Sequence, residues 1–223
     1  MACLLYCVAR IDTEVIPNIL GVGDEQVCAR EPAGLRVYWS DLADPETALA
    51  EGAAWKKAEL KYQQVLREMV VHFTPVPIAF PAVLGDVEAI EKYFAEEREY
   101  FEEAVGRLGD AVQYELTASW TAEEQADLAT PVSGREYVKR RQEAAGRVAA
   151  VDAKLKTVTE GCVREWRAQQ ERRQYRWYAL VPRAERERFV GMLRSAGPSE
   201  GVRLRLSGPW PPGNFVKAAS EAR

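Results

Sequence analysis

Residues Ala111–Trp120 read Ala-Val-Gln-Tyr-Glu-Leu-Thr-Ala-Ser-Trp. Val112, Tyr114, Leu116 and Ala118 point one way, and Gln113, Glu115, Thr117 and Ser119 the other. A period of two is that of a half-buried strand. This strand opens a structural unit. Thr121 to Ala129 follows as a short helix, with Thr121 as N-cap and Glu124 completing a capping box. Thr130 to Gly134 is a loop. A long helix is expected from Arg135 to Arg173, because Val148, Val151, Leu155, Val158, Cys162 and Trp166 recur in a heptad-like stripe. It would be roughly 55 to 60 Å long, more than a small sheet can cover, so part must pack on another helix or a partner. Tyr175 to Val181 is β-prone and stops at Pro182. Ala184 to Ala196 is amphipathic, through Phe189, Met192 and Leu193, and Gly197-Pro198 ends it. Val202, Leu204 and Leu206 alternate with Arg203, Arg205 and Ser207, a third strand. The order strand, helix, strand, helix, strand predicts an α+β ferredoxin-like sandwich over residues 111–223.

Residues 1–110 form a second, looser α/β unit on this reading. Cys3 to Ile11 is apolar and β-prone, with Arg10 and Asp12 ending the run, so it reads as a strand and not as a signal peptide. Gln26 to Cys28 and Leu35 to Trp39 flank Arg30-Glu31-Pro32-Ala33-Gly34, the pattern of a hairpin. Asp44-Pro45-Glu46 starts a helix, with Asp44 as cap and Pro45 at its first position. That helical region runs to His72 with a break near Gly52, using Trp55, Tyr62, Val65, Leu66 and Met69 inward. Pro75, Pro77 and Pro81 exclude a helix from Phe73 to Leu84, leaving Val76 to Phe80 as an extended, edge-type segment. Val87 to Leu108 reads as one helix, with Ile90, Phe94, Phe101, Val105 and Leu108 inward.

Composition narrows the function classes. The chain has 223 residues with 47% apolar and 29% charged side chains, too apolar for disorder and too charged for a membrane protein. No uncharged run is long enough for a bilayer span. Four Cys and one His suggest reduced thiols in a cytoplasmic protein and leave no His-rich metal site. Residues 1–110 carry 10 basic and 20 acidic side chains, and residues 111–223 carry 20 and 14. An acidic half joined to a basic half predicts two different surfaces, and the acidic half argues against nucleic acid as a partner. No phosphate loop, nucleophile elbow or metalloprotease helix is present.

Three stretches then stand out in order: Pro75-Val76-Pro77-Ile78-Ala79-Phe80 after a helix, Gly134-Arg135-Glu136-Tyr137-Val138-Lys139-Arg140-Arg141 opening a helix, and Leu206-Ser207-Gly208-Pro209-Trp210-Pro211-Pro212 followed by Asn214-Phe215-Val216. With the opening Leu5-Tyr6-Cys7-Val8 they resemble the gas vesicle protein F/L family across nearly the whole chain. The chain departs from the family pattern at Tyr62, where a His is usual, at Ala79-Phe80-Pro81 in place of Arg-Phe-Gly, and at Gly213 in place of Tyr. The resemblance implies a non-enzymatic assembly or minor structural role in gas vesicles. The implied partners are the hydrophobic shell protein and other accessory proteins, and no cofactor is implied. The alternative is a regulatory ferredoxin-like module holding a small ligand in a domain cleft.

Individual residues are weighed on this background. Cys3 and Cys7, four apart in a strand, would share a face with Cys28 nearby, as buried thiols. His72 would sit at a helix C-terminus, favoured by the dipole. The Glu88 to Glu103 cluster would be a solvated face or a docking face for a basic partner. Arg135 to Arg173, with Arg172, Arg173 and Arg176 among Tyr175, Trp177 and Tyr178, has nucleic-acid-like composition but no RNA-binding signature. The Gly208 to Phe215 ending is either a rigid cap or an apolar patch for a partner. The candidate partner-binding residues are Pro77, Phe80, Tyr137, Trp210, Pro211 and Phe215. The long helix also offers a surface for self-association.

Overall fold

A computed structural model describes residues 2–12, 18–120, 133–171, 174–197 and 202–216. The chain divides into two compact units, 1–112 with 209–223 and 113–208.

In the first unit, β1 (Ala2–Arg10) is the inner strand of a four-stranded sheet ordered β2-β3-β1-β4. β2 (Val27–Arg30) and β3 (Leu35–Leu42) form the expected antiparallel hairpin, with Val27 opposite Ser40 and Arg30 opposite Val37. β1 runs antiparallel to both β3 and β4 (Val76–Leu84). β4 is therefore an edge strand, which is where its prolines are tolerated. The crossover from β3 to β4 begins with α1 (Pro45–Ala48), whose cap Asp44 accepts from the Thr47 amide at 3.1 Å. Gly52, at φ 88°, breaks it from α2 (Ala53–His72). α2 buries Ala58, Tyr62, Val65, Leu66, Met69 and Val70.

The expected single helix over Val87–Leu108 is two: α3 (Val87–Glu96) and α4 (Arg98–Leu108). Glu97 leaves the helical region at φ −103°, ψ 22°. No Pro or Gly marks the break. Phe94 and Phe101 close over it with ring centroids 4.5 Å apart, so tertiary packing sets it.

Every residue from Cys3 to Ala9 is buried. Such a strand carries no alternation, and its register has a shift at Tyr6 that the sequence does not announce. Leu5 opposes Trp39 and Cys7 opposes Tyr38, leaving Tyr6 as the extra residue of a bulge. A bulge reverses the facing of every later residue in its strand. Leu4, Tyr6, Cys7 and Ala9 accordingly join one apolar cluster with Tyr62, Val65, Leu66 and Met69 of α2. The expectation that Cys3 and Cys7 share a face is thereby corrected. Cys7 Sγ lies 3.5 Å from Met69 Sδ, whereas Cys3 Sγ lies 3.9 Å from Asp41 Oδ1. On β4 the same irregularity skips from Pro77 to Ala82. The Tyr62 hydroxyl donates into this gap, to the carbonyls of Tyr6 at 3.0 Å and of Ile78.

In the second unit, β5 (Ala111–Trp120) begins at the unit boundary as the alternation predicts. The Thr121 to Ala129 helix and most of the loop after it lie outside the described residues. α5 (Gly134–Val158) starts at Ser133, whose hydroxyl accepts from the Glu136 amide at 3.4 Å. The long helix expected to Arg173 ends here. Thr159 caps it, Gly161 turns with φ 77°, and the chain continues as β6 (Glu165–Glu171). Cys162 and Trp166 thus belong to the turn and the strand and not to a helical stripe. α5 spans roughly 37 Å.

β6 pairs antiparallel with β7 (Gln174–Pro182), from Glu165 opposite Leu180 to Glu171 opposite Gln174. α6 (Arg186–Ser195) and β8 (Val202–Trp210) complete the unit. The order β6-β7-β5-β8, with α5 and α6 as crossovers, is the ferredoxin-like arrangement with one strand more than expected. The first sheet has the same order with a connection in place of its first helix. The halves share topology without a residue-level repeat. The residues from Pro209 onward, placed in the second unit by sequence order, pack with the first.

Replacing Tyr62 with Phe should cost about 1 to 3 kcal/mol, because two buried carbonyls lose their donor while the ring packing stays. Urea unfolding of Tyr62→Phe against the parent checks this, and an unchanged midpoint would refute the bridging role.

Candidate functional site

Five of the six candidate residues fall in the first unit. Pro77 and Phe80 lie on the edge strand β4, Trp210 ends β8, and Pro211 and Phe215 follow it. Tyr137 lies in the first turn of α5, in the other unit, and is 52% exposed.

Phe80 completes an aromatic row. Tyr6 stacks on Tyr62 at 5.6 Å, Tyr62 meets Phe80 at 5.1 Å, and Phe80 meets Trp55 edge-on at 5.2 Å. The row runs from the bulge in β1 to the start of α2. Edge-to-face and offset contacts of this kind add about 0.5 to 1.5 kcal/mol each beyond burial.

The ending is fastened at two points. The Arg67 guanidinium, on α2, lies 4.8 Å over the Trp210 ring. Arg107, on α4, donates through Nη2 to the Phe215 carbonyl. Phe215 has no exposed surface. It anchors the ending and offers nothing to a partner, which corrects the expectation for this residue. Trp210 and Pro211 remain half-buried.

A cleft of about 440 Å³ lies among β4, α3, α4 and the ending, lined by Pro77, Ala82, Tyr93, Tyr100, Ala104 and Gly213. A Cβ at Gly213 would sit 3.6 Å from Pro77 Cγ, an ordinary contact. The missing side chain leaves the cleft open beside Pro77. Burial pushes the phenols of Tyr93 and Tyr100 up, and Glu97 adds to both shifts.

One surface feature carries no sequence motif. Leu60 and Val71 on α2 are 71% and 66% exposed. Eleven residues apart, they fall on one side of the helix, opposite Tyr62, Val65 and Met69, and Arg67 shares their stripe. The signal was available in the spacing, hidden because the buried stripe accounts for the helix without it.

Among the described residues no group of three or more His, Cys, Asp and Glu is placed to hold a metal. Cys3, Cys7 and Cys162 are buried, Cys28 is exposed, and all four are free thiols. Burial pushes the Cys7 thiol far up, away from a reactive thiolate. His72 ends α2, exposed. Glu88, Glu91, Glu96, Glu99, Glu102 and Glu103 are exposed on α3 and α4. Glu91 pairs with Arg30 at 2.7 Å, Glu102 with Arg98 at 2.7 Å and Glu96 with Lys92 at 3.9 Å. Arg176 pairs with Glu115 at 3.6 Å within the second unit, and Arg172 and Arg173 lie outside the described residues. Among the described residues no helix is long and apolar enough to cross a membrane.

The described residues form two four-stranded sheets with helices, and an aromatic row runs along the edge of the first. Residues 2–217 match the family described as gas vesicle synthesis protein GvpL/GvpF, and the chain belongs to that family. Gas vesicle protein L of a Streptomyces species is 27% identical over 92% of this chain and 85% of its own length. The crystal structure of gas vesicle protein GvpF from Anabaena matches with a TM-score of 0.73 at 17% identity, covering 98% of this chain and 97% of that one. GvpF from Microcystis aeruginosa matches with a TM-score of 0.70 at 16% identity, covering 97% and 99%. At those identities the structures establish the shared fold.

Trp210→Ala should lower stability by about 0.5 to 2 kcal/mol through loss of the cation–π contact and speed amide exchange at Asn214 to Val216. Exchange unchanged at those amides would show that the ring does not hold the ending. Stability should also fall in alkali. Burial pushes Tyr38 up to about 12 and raises Tyr6 and Tyr62 as well. The unfolded chain releases these protons near pH 10, the folded chain later. Their contribution is whole below pH 10 and drains away as pH rises toward 12. Urea midpoints at pH 8, 10 and 11 should decline over the last interval, and a flat profile would contradict the buried phenols.

Proposed function

We propose that this protein is a non-enzymatic assembly or minor structural component of gas vesicles, acting in the cytoplasm and at the vesicle by binding the hydrophobic shell protein and other accessory proteins. The observation that carries the reading is the family match over residues 2–217, supported by a fold shared along nearly the whole chain with two GvpF proteins.

The physical task is to cover apolar surface. A shell subunit exposes apolar area before it assembles, and uncovered area of that kind aggregates. The outer stripe of α2, with Leu60, Arg67 and Val71 and with Trp210 beneath Arg67, supplies an apolar surface on a rigid helix. Pro77, Phe80 and Pro211 supply further contact area in the same unit. Tyr137, exposed next to Val138 at the start of α5, supplies a second contact on the other unit.

The test is co-purification with intact vesicles in a host that makes them, comparing the parent with Leu60→Glu, Val71→Glu and Trp210→Ala. Leu60 and Val71 are exposed on the helix surface, so their substitution should leave stability within about 0.5 kcal/mol while reducing the vesicle-bound fraction at least threefold. A parent protein that never co-purifies would sink the vesicle role. Undiminished binding by all three variants would move the contact off this face.

A further inference from the structure

Among the described residues, the helices of the second unit leave an apolar groove uncovered. The groove has a volume of about 640 Å³ and runs between α5, α6 and the edge strand β8. Val151 and Leu155 of α5 are buried and form its floor, while Leu193 of α6 and Leu204 and Leu206 of β8 stand half-exposed along its walls. The alternation of β8 turns Val202, Leu204 and Leu206 toward this side.

Three cations also line the groove: Lys154, Arg194 and Arg203. None of them makes an ion pair with another described residue. Other cations of the unit are paired, Lys156 with Asp152 at 2.8 Å, Arg188 with Glu185 at 3.3 Å and Arg176 with Glu115 at 3.6 Å. The lining of the groove thus carries three cations and no carboxylate.

We propose that this groove receives an amphipathic helix of a partner protein whose apolar stripe is flanked by carboxylates. An apolar trough of this size takes a helix face through side chains at i, i+3, i+4 and i+7. The rim cations then select the flanking charge, contributing specificity and on-rate more than affinity. The groove recognises the partner by that chemistry whichever protein supplies it, so the inference goes beyond the vesicle role.

Two 18-residue synthetic helical peptides with the same leucine stripe test it, one flanked by Glu and one by Lys. Titrated into the full-length protein, the Glu peptide should bind at least tenfold more tightly, and the preference should shrink as salt rises. The triple variant Lys154→Glu, Arg194→Glu, Arg203→Glu should reverse the preference. All three side chains lie at the surface, and circular dichroism confirms that the variant folds. Leu204→Glu should weaken both peptides. Equal binding of the two peptides, no binding of either, or a preference that survives the triple variant would each overturn the proposal. So would concentration-dependent self-association relieved by the triple variant, since a second copy would then fill the groove. A Glu preference in a protein that never co-purifies with vesicles would leave the groove standing and remove the vesicle role, and the opposite pair of results would do the reverse.

Discussion

Tyr6 interrupts a strand that is buried on both faces, and the first unit is arranged around that interruption. Without the extra residue, Cys7 and Ala9 would face α3 and α4. With it they face α2, beside Leu4 and Tyr6. A one-residue slip in a two-sided strand exchanges whole sets of side chains between layers, so the register cannot drift without repacking both. The position is held from three directions. The Tyr6 hydroxyl lies 2.8 Å from Ser40 Oγ and accepts from the Val22 amide at 2.7 Å. Its ring stacks on Tyr62, and its carbonyl accepts from the Tyr62 hydroxyl. Gly21 passes so close that a Cβ there would overlap the Tyr6 hydroxyl. Tyr62, a departure from the family pattern, is thus part of the device that fixes the bulge.

The two sheets share a strand order, but the chain uses them differently. The first unit has two helices, α3 and α4, added after its last strand, and an acidic surface. The second has both crossover helices, a groove beside its edge strand and cations along it. The charge asymmetry in the sequence therefore corresponds to two different surfaces. An apolar helix stripe lies on one unit, and a cation-lined trough on the other.

Much of this was legible where the signal is local. Asp44-Pro45 and Gly52 placed α1 and the start of α2, the Pro-Gly turn placed the β2–β3 hairpin, and the prolines placed β4 at an edge. Alternation gave β5 and β8. What failed was decided at a distance. Glu165 to Glu171 is rich in residues that suit a helix and becomes a strand because β7 offers it a ladder; Gly161 was the local sign that the helix had ended. Nothing near Glu97 foretells the break between α3 and α4, and a uniformly apolar strand gives no hint of its bulge. Of the candidate site, the Pro-containing strand and the Trp210 segment were visible as motifs. The burial of Phe215 and the stripe of Leu60 and Val71 required knowing which surfaces were already covered.

The segment Trp210 to Phe215, which follows the second unit, is tied to Arg67 and Arg107 of helices that precede it. Arg107 waits 108 positions for the Phe215 carbonyl, and the whole second unit emerges in between. The first sheet and its aromatic row can form early, but the contacts of Arg67 and Arg107 with the ending must wait until the second unit has been made. Contacts of such long sequence separation close late. A nascent chain therefore exposes β4 throughout the time its second unit is being made.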